Sequence, residues 1–275
     1  RPEKSIPKMR GILKVVKKMP PFFAIPPTSG TGSETTLAAV ITDTTNPEHH
    51  LKYAIQDFPL IPHYAVLDPS LTAGLPQKVT STTGMDALCH AIEAYIGNSN
   101  TKETRQKAEE AIKLIFTYLK RAYDDGKDME ARKNMQTAAF DAGVAFTRAY
   151  VGNVHAMGHA MGAKYNTPHG LAMAVILPHM LDFYGAKIYK KLAKLADVVG
   201  ITGADDEAKA KAFIQAIKDM NAYMQIPENF GGIIKEEDAK IMSEAAYKEA
   251  NPLYPVPVMM GREDFVKMYL EVLNG

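Results

Sequence analysis

The sequence contains one cysteine, Cys89, in 275 residues. A single thiol cannot form a disulfide within the chain, and such scarcity fits a reducing compartment. The sequence also has no apolar run of about 18 residues, the length that a transmembrane helix needs. No hydrophobic signal-peptide core occurs near its first residue. We therefore expect a soluble, cytoplasmic protein with no membrane partner.

An excess of either charge is also missing. Lys and Arg total 32 against 31 for Asp and Glu, which gives a formal net charge of +1 at pH 7. A balanced chain has no overall field that would attract nucleic acid, so we expect no nucleic-acid partner. Basic residues do gather within residues 1–20, and we interpret that segment as a solvated linker.

Three of the eight histidines, by contrast, lie in one stretch. His155, His159 and His169 are separated by four and then ten residues. Residues four apart lie on the same face of a helix, so the first two imidazoles can point the same way. Pro168 limits helix formation behind it, which places His169 at the start of a new helix. Imidazole is the commonest metal-ligating side chain, and converging imidazoles suit Zn(II) or Fe(II).

A carboxylate that could complete such a site occurs upstream. Asp86 and His90 form another pair four residues apart, in a segment of strong helical character. One carboxylate and several imidazoles make a mixed oxygen and nitrogen site for a divalent first-row metal. Neither pair reads His-Glu-x-x-His, which excludes the zinc-peptidase motif. Spacing alone does not exclude His159 as a further ligand.

The pattern of the chain changes near residue 74. Before it, short apolar segments bounded by turn residues predict strands at residues 22–25, 37–42, 51–55 and 64–67. Residues 28–33 form a turn rich in Gly, Ser and Thr, which can offer backbone N–H groups and hydroxyls to anions. After residue 74 apolar residues recur with helical spacing, as in Ala108, Ile112 and Ile115. We expect two domains, residues 1–73 and 74–275.

Taken together, the motifs resemble the iron-containing (group III) alcohol dehydrogenase family. Gly-Met-Asp-Ala-x-x-His-Ala-x-Glu at residues 84–93 and His-x3-His-x9-His at residues 155–169 are similar to that family's metal-binding motifs. Residues 27–34 resemble its second nucleotide-contacting loop, and residues 251–257 resemble its C-terminal tail. The resemblance covers nearly the whole chain. It implies an α/β remnant of a nucleotide-binding domain followed by an all-α metal-binding domain, an architecture like that of dehydroquinate synthase.

The resemblance also implies roles for individual residues. The implied metal ligands are Asp86, His90, His155 and His169. His159 is implied to lie near the substrate and to help move the alcohol proton, with Phe146 beside the substrate. The residues implied to contact the cofactor are Thr28, Ser29, Thr31, Gly32, Thr36, Lys52 and Leu71. The implied cofactors are Fe(II), with Zn(II) as the alternative, and NAD or NADP.

The activity that the resemblance implies is the reversible, NAD(P)-linked oxidation of a small alcohol to an aldehyde or ketone by a homo-oligomer. Family members begin with a nucleotide-binding region that carries a Gly-Gly-Gly-Ser pyrophosphate loop. This sequence contains no such loop and no Gly-x-Gly-x-x-Gly. We therefore expect a family member without its N-terminal nucleotide-binding segment.

Two alternatives stay open. A chain without half of the dinucleotide site could be a non-catalytic metal-binding or assembly module. A dehydroquinate synthase-like lyase would use metal and NAD on a similar scaffold, but it requires Lys and Arg clustered near the metal. The small apolar residues between the histidines, at positions 156–158 and 160–162, favour a small neutral alcohol over that anionic substrate.

Overall fold

The computed structural model describes residues 3–43, 51–232 and 234–274. Within these residues, short strands occupy the first part of the chain and helices occupy the rest. The strands are β1 (Gly11–Ile12), β2 (Phe23–Ala24), β3 (Ala38–Asp43), β4 (Leu51–Gln56) and β5 (Tyr64–Ala65). The helices are α1 (Gln77–Ile96), α2 (Lys102–Asp124), α3 (Met129–Ala149), α4 (Asn153–Tyr165), α5 (His169–Tyr184), α6 (Tyr189–Val198), α7 (Asp206–Tyr223), α8 (Ala239–Ala250) and α9 (Arg262–Asn274). This order confirms the predicted fold class, whereas the boundary at residues 73 and 74 stays a prediction.

The strands form two small sheets. In the first, β4 lies between β1, which is parallel to it, and β3, which is antiparallel. In the second, β2 and β5 run parallel, and the rings of Phe23 and Tyr64 stack with centroids 4.6 Å apart. Both rings are mostly exposed. The strands predicted at residues 22–25 and 64–67 are shorter than expected, since β2 and β5 have two residues each.

The interpretation of residues 1–20 as a solvated linker is wrong. This segment contains β1, and Val15 is buried against Tyr53 and Ile55 of β4. The carboxylate of Asp57 accepts hydrogen bonds from the backbone N–H groups of Val15 and Val16, both at 2.9 Å. The basic side chains that suggested a linker remain mostly exposed, while the backbone between them pairs with a distant strand.

Helix α1 is the centre of the helical part. From Thr80 onward nearly all of its residues are buried, because α2, α3, α5 and α6 pack around it. A helix that is buried all round is a core element. Helix α2 covers it with the predicted apolar stripe, whose members Ala108, Ile112 and Ile115 are fully buried.

The break between the two histidine-bearing helices lies where the sequence predicts it. Helix α4 ends at Tyr165, its C-cap residue Asn166 adopts a left-handed conformation with φ 51°, and Pro168 precedes the first residue of α5. His169 therefore starts a new helix, which packs against α4. In the described residues no single helix is long and apolar enough to span a bilayer. One pair, His169–Lys187 with Tyr189–Val198, meets that criterion jointly but is bent by 120°.

Candidate metal centre

Four side chains from three helices converge on one point. Asp86 and His90 come from α1, His155 comes from α4, and His169 is the first residue of α5. Each offers one ligating atom, and these four atoms lie within 4.8 Å of one another. The structure thus brings together the four residues that the sequence analysis names as metal ligands, although they are spread over more than 80 positions of the chain.

The carboxylate oxygen of Asp86 lies at the middle of this cluster. Its Oδ1 is 3.3 Å from Nε2 of His169, 3.7 Å from Nε2 of His155 and 3.9 Å from Nδ1 of His90. Among the described residues, Asp86 Oδ1, His90 Nδ1 and His155 Nε2 are buried and have no hydrogen-bond partner. Buried polar atoms without partners are rare because each costs free energy. A cation bound between these atoms would satisfy all of them.

The protonation states suit this interpretation for most of the cluster. Burial lowers the pKa of His90 to about 3, which leaves its lone pair free at neutral pH. Burial also lowers the pKa of His169. Burial acts to raise the pKa of Asp86, but the neighbouring His90 and His169 outweigh it and hold that carboxyl well below its usual range. An ionised carboxylate and neutral imidazoles are the forms that bind a metal.

Glu93 fixes the orientation of His155. Its Oε2 lies 2.5 Å from His155 Nδ1 and also accepts a hydrogen bond from the N–H of Gly152 at 2.8 Å. Its Oε1 accepts from the N–H of Val154 at 2.8 Å. A carboxylate only accepts, so Nδ1 of His155 carries a proton, and in the neutral imidazole that binds a metal the lone pair is on Nε2, toward Asp86. Burial acts to lower the pKa of His155, but the Glu93 carboxylate beside Nδ1 raises it well above its usual value.

Cys89 is a buried neighbour of the cluster. It has no exposed surface, its Sγ is 3.9 Å from His155 Nδ1, and burial raises its pKa to about 12. Cys89, Glu93 and His155 also lie close enough to share an ion. The facing atoms of Glu93 and His155 are already hydrogen-bonded, however, so the first cluster is the better metal site.

His159 and Phe146 adjoin the cluster without belonging to it. The ring of His159 stacks on that of His169, with centroids 5.2 Å apart, and its side chain is 35% exposed. Its Nδ1 lies 2.6 Å from Oε1 of Glu249. The ring of Phe146 stacks on His90 at 4.2 Å. Two carboxylates beside these histidines, Glu93 and Glu249, were not predicted as site residues. Glu93 is the last residue of the 84–93 motif, so the sequence could have indicated that it belongs to the site. No motif near Glu249 indicates a role for that residue.

The small residues between His155 and His159 are part of the core. Ala156, Met157 and Gly158 are buried in the core. A Cβ added to Gly158 would lie 1.9 Å from the side chain of Met173 on α5. These residues let α4 and α5 approach each other closely. Helix packing therefore requires small residues here, and the preference for a small neutral alcohol stays a prediction.

The Gly-rich loop at residues 27–34 packs against the helix that carries two of the clustered residues. A Cβ on Gly30 would lie 2.7 Å from the Cβ of Thr83, three residues before Asp86. Gly32 has φ 56° and would place a Cβ 2.7 Å from the Cα of Gly143 on α3. Both positions therefore require glycine. The loop is held between α1 and α3, and the residue that it contacts on α1, Thr83, is three positions before Asp86.

The remaining residues of the predicted cofactor set are in mixed environments. Thr28 is half-buried, and Ser29 is buried with an unpartnered hydroxyl among the described residues. Thr31 is exposed, and its Oγ1 accepts from the N–H of Ser33. Thr36 is buried and donates to the carbonyl groups of Ser33 and Ala38.

Leu71 and Lys52 lie farther from the loop along the chain. Leu71 is 48% exposed in a 3-10 turn, Pro69–Thr72, that contacts α3. The amide of Gln136 on α3 donates to the carbonyl groups of both Pro26 and Asp68. These hydrogen bonds connect the segments that follow β2 and β5 to one helix. Lys52 belongs to β4, but its side chain lies outside the described residues.

Comparison with known proteins identifies the family of this chain. Residues 80–273 match the model described as "Fe-containing alcohol dehydrogenase family, C-terminal". The chain belongs to the iron-containing alcohol dehydrogenase family. Residues 4–69 match the companion model described as "Iron-containing alcohol dehydrogenase". The resemblance read from the sequence motifs is thereby confirmed.

Individual relatives agree with this assignment. The chain is 38% identical to 1,3-propanediol dehydrogenase of Klebsiella pneumoniae over 88% of its own length and 62% of the relative's. It is 37% identical to NAD-dependent methanol dehydrogenase of Bacillus methanolicus, over 87% and 63% of the two chains. It is also 37% identical to NADPH-dependent butanol dehydrogenase of Clostridium saccharobutylicum, over 90% and 62%. The chain thus spans less than two thirds of these relatives.

The fold of a solved relative is also closely similar. A crystal structure of 1,3-propanediol oxidoreductase superimposes with a TM-score of 0.93 and 34% identity, covering 98% of this chain and 71% of that one. The arrangement of strands and helices described above is therefore that of the family.

Proposed function

We propose that the chain forms the metal-binding part of an NAD(P)-linked alcohol dehydrogenase, with Asp86, His90, His155 and His169 as the metal ligands. One observation carries this proposal: four ligating atoms lie within 4.8 Å of one another, and three of them are buried without a hydrogen bond. One carboxylate and three imidazoles suit Fe(II), with Zn(II) as the alternative. With a divalent ion the site has a net charge of about +1.

The residues around the metal have separate tasks in this proposal. When bound, the ion supplies Lewis acidity to the oxygen of an alcohol or carbonyl substrate. His159, which is partly exposed, accepts the alcohol proton. Phe146, stacked on His90, supplies an apolar surface beside a small substrate. Among the described residues, the ion pairs of Asp86, Glu93 and Glu249 are all with histidine, and none is with Lys or Arg.

The nicotinamide cofactor supplies the redox chemistry in this proposal. We assign its contacts to Thr28, Ser29, Thr31, Gly32, Thr36, Lys52 and Leu71. What supports this is the packing of the loop against α1 just before Asp86. The names of two relatives, one NAD-dependent and one NADPH-dependent, are compatible with either cofactor. The predicted homo-oligomeric state is part of the proposal, and light scattering on the purified protein tests it.

Metal analysis combined with an activity assay tests the function. The chain is purified anaerobically, loaded with Fe(II) or Zn(II), and assayed for alcohol-dependent reduction of NAD and NADP. We expect one ion per chain, lost in Asp86→Ala and His155→Ala. His179→Ala is the matched control, because that histidine contacts the carboxylate of Glu271 and the backbone carbonyl of Glu228 instead. Metal binding without saturable cofactor binding or reduction would favour the non-catalytic module. Equal metal in all variants would contradict the site.

A further inference from the structure

A hydrogen-bonded chain of three side chains leads away from the metal cluster. Oε1 of Glu249 lies 2.6 Å from Nδ1 of His159, and the same oxygen accepts a hydrogen bond from the hydroxyl of Tyr254 at 2.7 Å. Glu249 lies near the end of α8, and Tyr254 lies in the tail that follows it. Neither residue is a member of the metal cluster.

The direction of these hydrogen bonds follows from the groups involved. Burial raises the pKa of Tyr254 well above its usual value, with Glu249 acting in the same sense, so the phenol keeps its proton and donates. Burial acts to raise the pKa of Glu249 as well, but His159 and the two hydrogen bonds outweigh it and lower that pKa. Glu249 is then a carboxylate that accepts from both sides, which requires a proton on Nδ1 of His159.

The tail that carries Tyr254 is itself fixed to the end of α1. The N–H of Asn98 donates to the carbonyl of Pro255 at 2.6 Å, and the side-chain amide of Asn98 donates to the carbonyl of Val256 at 2.7 Å. The N–H of Tyr254 donates to the carbonyl of Ala250 on α8. Helix α1 also carries Asp86 and His90. The segment that carries the phenol is therefore anchored at Asn98, two residues beyond the end of the helix that carries these ligands.

His159 has one nitrogen left for chemistry. With the proton on Nδ1, the lone pair is on Nε2, and Nε2 has no hydrogen bond to any described residue. The ring lies against His169, and its side chain is 35% exposed, so a small molecule can reach it. A carboxylate bonded to the distal nitrogen of a histidine fixes its tautomer and stabilises the imidazolium that forms when the histidine accepts a proton.

We propose that Glu249 is a positioning residue, held by Tyr254, that keeps His159 in the Nδ1–H tautomer with Nε2 as the acceptor of the substrate's proton. This proposal rests on the function proposed above. In the step itself the O–H bond of the alcohol breaks and the Nε2–H bond forms. The oxygen keeps the electron pair, and the imidazolium lies beside the Glu249 carboxylate. Tyr254 stays protonated throughout and stabilises that carboxylate.

The tautomer of His159 can be measured directly by long-range proton–nitrogen NMR on the chain loaded with diamagnetic Zn(II). The signals of His159 are identified by their loss in His159→Ala. At a pH where imidazole is neutral, the proposal expects the Nδ1–H form in the wild type. Glu249→Ala is expected to lose the preference for this form, while Tyr254→Phe keeps it because the carboxylate remains. Glu244→Ala is the matched control, since Glu244 lies on the same helix but pairs with Arg262.

Two results would overturn the proposal. One is an Nε2–H tautomer in the wild type, which requires no variant to fold. The other is an unchanged Nδ1–H population in Glu249→Ala that circular dichroism shows to be folded. The metal content of the same samples separates the two proposals. Stoichiometric Zn(II) with the Nε2–H tautomer refutes only the role of Glu249. Absence of Zn(II) refutes the metal site, and the tautomer of His159 can still be measured in the metal-free chain.

Discussion

The carboxylate of Glu93 both orients His155 and caps the start of α4, the helix that carries His155. One oxygen is 2.5 Å from His155 Nδ1 and accepts from the N–H of Gly152, and the other accepts from the N–H of Val154. Helix α4 has no capping hydrogen bond from its own N-cap side chain, since that residue is Gly152. Glu93 supplies the cap from α1. The stability of α4 and the orientation of His155 are therefore linked through one side chain.

Replacing Glu93 by alanine is expected to weaken both functions. Loss of a hydrogen bond to the distal nitrogen of a metal-ligating histidine lowers metal affinity by about 10–100-fold. Loss of a helix cap lowers the free energy of unfolding by about 0.5–2 kcal/mol. Calorimetric titration with Zn(II) measures the first effect, and urea unfolding of the metal-free chain measures the second. Glu110→Ala, on the surface of α2, serves as the control. Unchanged Zn(II) affinity would refute the role of Glu93.

His159 and His155 are expected to respond differently to substitution although they lie one turn apart. His155→Ala removes one of four ligands and should abolish stoichiometric metal binding. His159→Ala should retain most of the metal, because its Nδ1 is bonded to Glu249 and its nitrogens are not part of the cluster. Inductively coupled plasma mass spectrometry on matched samples measures the metal content of each variant. Equal loss of metal in both variants would make His159 a ligand.

Glycine at position 30 is expected to be required for loop packing. A Cβ there would lie 2.7 Å from Thr83 Cβ and 2.8 Å from the Thr83 carbonyl oxygen. Gly30→Ala should therefore lower the free energy of unfolding by about 1–3 kcal/mol, the usual cost of overpacking. Gly74→Ala is a matched control, because nothing lies within 4 Å of its added Cβ. Equal urea midpoints for the two variants would contradict the packing described for the loop.

The single thiol offers a test of the core around the metal cluster. Cys89 has no exposed surface. It should therefore react with a disulfide reagent only after the chain unfolds, and then with one equivalent per chain. Thiol titration with and without urea gives the result. Rapid reaction of the native chain would mean that α1 is not buried as described.

Much of the site could be predicted from sequence because its signals are local. Asp86 with His90, and His155 with His159, are pairs four residues apart, and Pro168 marks the helix break that turns His169 toward them. Helical periodicity likewise predicted α2 and its buried face. These features depend only on residues near one another along the chain, which is what a periodic pattern reports.

Contacts between distant segments could not be predicted in the same way. Glu249 lies 90 positions from His159, and no local spacing relates the two. The pairing of β1 with β4, and the hydrogen bonds from Val15 and Val16 to Asp57, join segments about 40 residues apart. The basic composition of residues 1–20 describes exposed side chains and says nothing about backbone pairing. That is why the linker interpretation was wrong.

X-ray absorption spectroscopy of the Zn(II)-loaded chain tests the proposed ligand set most directly. A Zn–S bond is about 2.3 Å long and Zn–N bonds are about 2.0–2.1 Å, so the spectrum separates the two buried clusters. If Asp86, His90, His155 and His169 hold the metal, the nearest shell contains only nitrogen and oxygen, with the outer-shell scattering of about three imidazoles and no sulfur. A sulfur shell would place the metal at Cys89 instead and would contradict the assignment.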